Sequence, residues 1–306
     1  MALLLGFIGV LGFSFSLPAT RLAVEDLDPA VVGLGRAVVA GLLAATWLAL
    51  SRQPLPSRDQ RRRLALVSLG VVLGFPLLTS IALRDLPASH AAVIVGILPA
   101  ATAVAAVVRA GERPSRGFWA AGVGGLVAAL GFAAAQGAGT PQAGDLLLLA
   151  AVALCALGYA EGAVLARDLG GARTISWALV LSLPVTVAGT ALAAATADGG
   201  LSGGSVAWLG FAYVALISMF LAFFAWYAGL ARGGVAKIGQ VQLSQALLTL
   251  GWSALLLGEE VDALTLLAAV AVLACVVLTQ RSRVDDVAAT EAPKRDGRDL
   301  LLASDP

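Results

Sequence analysis

The sequence predicts an all-α membrane protein of ten transmembrane helices, arranged as two inverted five-helix repeats with both termini cytoplasmic. Three observations carry the prediction: the composition, the distribution of basic residues between alternate loops, and a likeness between the two halves of the chain. Of 306 residues, 59% are hydrophobic and 13% are charged, with a mean hydropathy of +0.91. A soluble domain carries about 25% charged residues, so this chain cannot clothe a water-facing surface. Ten apolar stretches of about 20 residues, each enough to cross about 30 Å of hydrocarbon, take up most of the length and leave no room for a soluble catalytic domain.

In chain order the spans are 2–20, 30–49, 64–83, 89–108, 117–136, 145–165, 174–196, 206–230, 236–257 and 262–280. The first lacks a basic n-region and reads as a retained helix rather than a cleaved signal. The second opens after Asp26-Leu27-Asp28-Pro29 and contains Arg36; the third follows the cluster Arg58 to Arg63. His90 stands at the start of the fourth, which Gly111-Glu112-Arg113-Pro114 closes, and the fifth runs on from Arg116. The sixth holds Glu161 and ends before Arg167, the seventh contains Pro184, and Gly199-Gly200 separates it from the aromatic-rich eighth. The ninth is the most polar, and the tenth ends at a charged tail from Arg281 to Pro306, expected to be cytoplasmic and disordered.

Cytoplasmic loops retain an excess of Lys and Arg. One set of alternate loops, with the tail, holds 17 basic residues; the opposite set holds only Arg21 and Arg84. Both termini are therefore expected in the cytoplasm, which requires an even number of spans. Shifting the chain on itself by about 147 residues overlays Leu11-Gly12-Phe13 on Leu157-Gly158-Tyr159, and Gly111-Glu112 on Gly258-Glu259. Repeats at 1–140 and 141–280 then hold five spans each. Since five is odd, the second copy enters the membrane inverted, an architecture of secondary transporters whose sites lie between the repeats.

The run Leu11 to Arg21, then Asp28-Pro29 and Arg36, resembles the opening of the EamA family of the drug/metabolite transporter superfamily. Ala88-Ser89-His90 with Leu98-Pro99 resembles it further on, and Trp226-Tyr227, Gly229-Leu230-Ala231 and Gly258-Glu259 resemble the second family repeat. The resemblance implies a ten-helix carrier with a central cavity that moves small metabolites such as amino acids, usually outward. The chain departs from the family where Gln245-Ala246 replaces the usual Glu-Pro.

Polar residues inside a bilayer are functional candidates because they must face a cavity or a partner. Gln242, Gln245, Thr249 and Trp252 share one face of the ninth span at i, i+3, i+7 and i+10, while Lys237, Gln240 and Ser244 share another. The equivalent fourth-span residues are largely apolar, so this polarity is not a packing need of both repeats. Amides donate and accept, which suits a zwitterionic or polar uncharged solute; the alternative is interhelical glue. Phe220, Phe223 and Tyr227 form an aromatic face beside Trp226, which with Tyr159 and Trp252 is expected to wall the cavity.

Glu161, six residues before Arg167, either snorkels or pairs near the inner interface or is a proton-coupling carboxylate. Arg36 is expected to pair with an outer acid such as Glu25 or Asp28, with substrate binding as the alternative. His90 reads as a solvated interface residue or a gate. Pro18, Pro76, Pro99 and Pro184 interrupt or bend their spans, because each lacks a backbone donor. Gly200-Leu201-Ser202-Gly203-Gly204 satisfies a serine-hydrolase pattern, but no strand precedes it and the single histidine lies far upstream. Two cysteines in apolar runs and no ligand cluster point to no metal, disulfide or cofactor. No basic stripe suits nucleic acid.

The expected function is export of amino acids or related metabolites by alternating access; the alternative is proton-coupled export of multidrug or lipid-like solutes. The expected partners are a small solute and the bilayer, with the chain a monomer or weak homodimer. Arg outnumbers Lys 18 to 2 and Ala is abundant, a GC-rich signature that places the protein in a bacterial inner membrane.

Overall fold

The computed structural model describes residues 1–110, 115–136, 142–197 and 201–291. Glu112, Asp198, Gly199, Gly200 and the tail beyond 291 lie outside the described residues, as do the side chains of Lys237 and Gln240. Among the described residues every regular element is helical. Eight helices are long and apolar enough to span a bilayer, and two shorter apolar ones, Val241–Leu256 and Ala263–Thr279, complete the set. These ten overlap the ten runs read from the sequence.

The first span is broken into α1 (Ala2–Ser14) and α2 (Ser16–Val24). It is followed by α3 (Pro29–Leu50). The third span begins earlier than the sequence suggested, with α4 (Arg58–Val67) continuing through a π-helical stretch, Ser68–Gly74, into α5 (Phe75–Asp85). Its start is set by a capping box, in which Ser57 accepts from the Gln60 backbone and Gln60 from the Ser57 backbone. The fourth span is also broken, into α6 (Ala88–Val95) and α7 (Leu98–Ala110). Then come α8 (Arg116–Gln136), α9 (Ala143–Leu169) and α10 (Gly171–Thr196). The eighth and ninth spans are α11 (Ser205–Ala212), a π-helical stretch Tyr213–Leu221 and α12 (Ala222–Leu256). They turn at Gly234, whose φ of 74° is open to glycine at little cost. The tenth is α13 (Ala263–Glu291).

Helices in lipid gain little from burying apolar surface, so close packing of small residues does the work. A Cβ on Gly33 of α3 would stand 2.7 Å from the Leu77 Cα of α5, and one on Gly229 of α12 would stand 2.9 Å from the Gly6 nitrogen of α1. Large side chains go outward: Leu181, Val185 and Leu192 on α10 and Leu267 and Val270 on α13 are exposed, a surface that acyl chains cover. Cys155 and Cys275 are free thiols. Pro184 sits inside α10 without dividing it, so it does not act as a break.

Candidate functional site

The site begins at the interruption of the first span. Phe15, at φ −92° and ψ 3°, separates α1 from α2. Three residues on, Pro18 has no N–H to give the Ser14 carbonyl, its i−4 acceptor. That carbonyl is met from another helix instead: Thr249 Oγ1 of α12 donates to it at 2.7 Å. Trp252 Nε1 donates to Ser14 Oγ at 3.0 Å, and Ser14 Oγ donates to the Leu11 carbonyl. The π-helical stretch supports the same break, since Tyr213 donates to the Gly12 carbonyl at 3.0 Å and the Ser16 and Ser218 hydroxyls lie 2.6 Å apart.

The fourth span is interrupted opposite, at Gly96 and Ile97, and Pro99 likewise offers no N–H to the Val95 carbonyl. Between the two breaks lies a small cavity of about 10 Å³ lined by Leu17, Val95, Pro99, Gln242, Gln245 and Thr249, among others. It has room for about one water. Gln242 is 4% exposed; its Nε2 and the Gln245 Oε1 are buried with no hydrogen-bond partner. Leaving such groups unpaired costs about 1–3 kcal/mol each. Discontinuous helices meeting at a midplane polar site are a transporter's way of presenting backbone groups inside a membrane.

Of the expected binding residues, Gln242, Gln245 and Thr249 thus come together. Trp252 acts through Ser14. Tyr159, Trp226 and Tyr227 belong elsewhere: they close an aromatic cluster with Phe13 and Phe223, Tyr159 and Trp226 standing 5.6 Å apart and Phe13 and Phe223 4.7 Å. These rings pack against one another and do not line the cavity beside the glutamines. Phe220 leaves the expected aromatic face to pack on Phe224 at 4.7 Å.

Two expectations about charged residues are corrected, those for His90 and Arg36. Glu161 pairs with Arg63, because α4 starts a turn and a half earlier than read and carries Arg63 up against α9. Its carboxylate also borders an otherwise apolar pocket of about 150 Å³. His90 is not solvated: it is 7% exposed, its Nε2 lies 2.6 Å from Asp145 Oδ1, and its ring packs 4.9 Å from Phe132. Asp145, fully buried at the start of α9, went unnoticed in the sequence; the other oxygen of its carboxylate accepts from the Gln142 backbone at 2.6 Å. The signal was a carboxylate three residues after a polar N-cap, at the edge of an apolar run.

Among the described residues Arg36 finds no acid. Asp28 caps α3, accepting from Ala30 and Val31, and Glu25 is exposed. A further carboxylate, Glu259, accepts from the Ala88 and Ser89 backbones at 2.8 and 2.7 Å. The Gly-Glu pair of the second half thus anchors the broken fourth span, as an acid at a helix N-terminus should.

A model of the EamA-like transporter family matches residues 1–134 and 142–281. A Bacillus subtilis (strain 168) protein described as "Uncharacterized transporter YdeK" is 46% identical over 276 residues, covering 90% of this chain and 96% of that one. A crystal structure of an 18% identical protein superposes with a TM-score of 0.62, covering 95% of this chain and 99% of that one, a likeness of fold. The chain belongs to the EamA-like transporter family, and it is a transporter and not an enzyme.

Proposed function

We propose that the protein exports small metabolites, foremost amino acids and related polar solutes, by alternating access through the site between the two broken helices and the ninth span. The observation that carries the reading is the pair of buried, unpartnered amide groups, Gln242 Nε2 and Gln245 Oε1, on the wall of a small cavity. Free amides can donate to a carboxylate or hydroxyl and accept from an ammonium. The two repeats, 1–140 and 141–280, are inverted, both termini are cytoplasmic, and the bilayer is a bacterial inner membrane. In this scheme the His90–Asp145 pair closes the outer end and Arg63–Glu161 the inner end, each joining one repeat to the other.

Solute counterflow in proteoliposomes against amino acids and hydrophobic cations, with and without a pH gradient, tests the reading. Amino-acid exchange supports it; exchange of none of them sinks it. A tag at Pro306 reached from outside intact cells would refute the orientation.

One observation favours the second reading, a proton-coupled exporter of multidrug or lipid-like solutes. An apolar groove of about 480 Å³ runs between α7, α8 and α9, past Trp119, Val123 and Leu157, and Leu157 also lines the Glu161 pocket. Gradient-dependent transport of hydrophobic cations in the same assay would select this alternative.

A further inference from the structure

We propose that Arg36 binds the carboxylate of the transported solute, making the cargo a small molecule that bears one carboxylate. The proposal rests on the transport reading above and adds the group that recognises the charge. Arg36 lies within α3, is 3% exposed, and touches Thr20 Oγ1 of α2 through Nη1 at 3.4 Å. Its Nε and Nη2 are buried with no hydrogen-bond partner. Those two N–H groups lie on one edge of the planar guanidinium, the edge that takes a carboxylate in two parallel bonds.

The nearby acids are committed elsewhere. Asp28 holds the α3 N-terminus, Asp26 accepts from the Gly204 backbone at 2.8 Å, and Glu25 is exposed. A cation at the depth of the bilayer without an anion is costly, and a protein that keeps one there has a use for it. Charge balance selects the ligand. One guanidinium neutralises one carboxylate, whereas a phosphate dianion would leave a buried negative charge. Arg21, on the same short helix as Thr20, is occupied by the Leu83 and Arg84 carbonyls at 2.8 and 2.7 Å.

Position agrees with this role. Thr20 is one turn, roughly 5 Å, beyond Leu17 on α2, and Leu17 lines the cavity with Gln242 and Gln245. Through its contact with Thr20, Arg36 thus meets the helix that also lines the cavity of the two free amides.

The test is thermal unfolding of the purified full-length protein and its Arg36→Met and Arg36→Lys variants. Each is measured alone and with L-alanine, L-leucine, their C-terminal amides, butyrate and inorganic phosphate. Counterflow of the same solutes runs in parallel. The expected result is that free carboxylates, but not the amides or phosphate, raise the wild-type Tm. Arg36→Met should unfold at a higher temperature than the wild type without solute, because a buried unpaired charge is gone. It should also bind carboxylates about tenfold or more weakly, the loss of a charge-assisted fork; Arg36→Lys should retain part of the affinity. The proposal is overturned if Arg36→Met is less stable alone, if it keeps the carboxylate response, or if acids and amides act alike. A response to phosphate alone, or to none of the solutes, overturns it as well. A carboxylate response lost in Arg36→Met, with no exchange of any solute, would uphold the site and sink the transport reading instead.

Discussion

Replacing Thr249 by valine removes the donor that satisfies the Ser14 carbonyl and leaves side-chain shape nearly unchanged. The hydrogen bond is buried at 2.7 Å, Thr249 is 1% exposed, and Pro18 cannot supply the missing N–H. An unpaired buried acceptor costs about 1–3 kcal/mol, while hydrogen bonds between membrane helices average about 0.6 and reach about 1.7 kcal/mol. The expected loss is therefore about 1–2 kcal/mol, or roughly 2–4 °C in the unfolding temperature of a large domain. Pro18→Ala restores an N–H at the position that reaches the same carbonyl. In that background the Thr249→Val penalty should shrink, giving a coupling of about 1 kcal/mol between residues 231 positions apart. Thermal unfolding of the wild type, both single variants and the double variant in lipid nanodiscs measures this. Counterflow should fall with Pro18→Ala, since a continuous first helix withdraws the broken backbone from the site. Additive penalties, within about 0.5 kcal/mol, would refute the claim that the Ser14 carbonyl links proline break and threonine.

Four other outcomes are expected. Gln242→Leu and Gln245→Leu should each leave stability unchanged or raised, because they remove unpartnered polar atoms, while counterflow falls about tenfold; normal transport by both would make the polar face interhelical glue. Glu161→Gln should destabilise by about 1–2 kcal/mol, a buried-pair loss discounted for the partly exposed Arg63, and full retention of pH-gradient dependence would exclude a coupling role. Asp145→Asn should loosen the outer closure at His90, so that a cysteine at Ala92, placed in a protein lacking Cys155 and Cys275, reacts several-fold faster with an impermeant maleimide outside; an unchanged rate removes the pair from gating. Asp262 accepts from Thr265 at the start of α13, and these hydrogen bonds hold its carboxyl below the ordinary value of 3.8. A depressed folded-state value stabilises above the unfolded one and is lost as pH falls through the folded one. The Tm advantage of wild type over Asp262→Asn should thus be constant near neutrality and vanish below about pH 3.8; persistence in stronger acid would refute the cap.

Much of the fold was legible in the chain because a bilayer imposes length. An apolar run must be about 20 residues long to cross, so the spans are visible without knowledge of their neighbours. Prolines at 18 and 99 announced interruptions because a missing N–H acts locally, and the i, i+3, i+7 spacing of Gln242, Gln245 and Thr249 announced a shared face for the same local reason. The aromatic wall was misjudged, since Tyr159, Trp226 and Tyr227 obey the same spacing rules whether they line a cavity or fill a core.

By itself the sequence determined the apolar runs, their breaks, the composite of two family repeats and the polarity of the ninth span. Only the tertiary structure decided which charge meets which: Glu161 with Arg63, His90 with Asp145, Glu259 with the start of the broken fourth span, and Arg36 with no acid among the described residues. The physical reason is that helices apolar on every side carry no amphipathic signal of which face looks inward. Their rotation is set by glycine contacts such as Gly33 on Leu77 and Gly229 on Gly6, made between residues far apart in the chain, and that rotation decides whether a buried charge meets a partner.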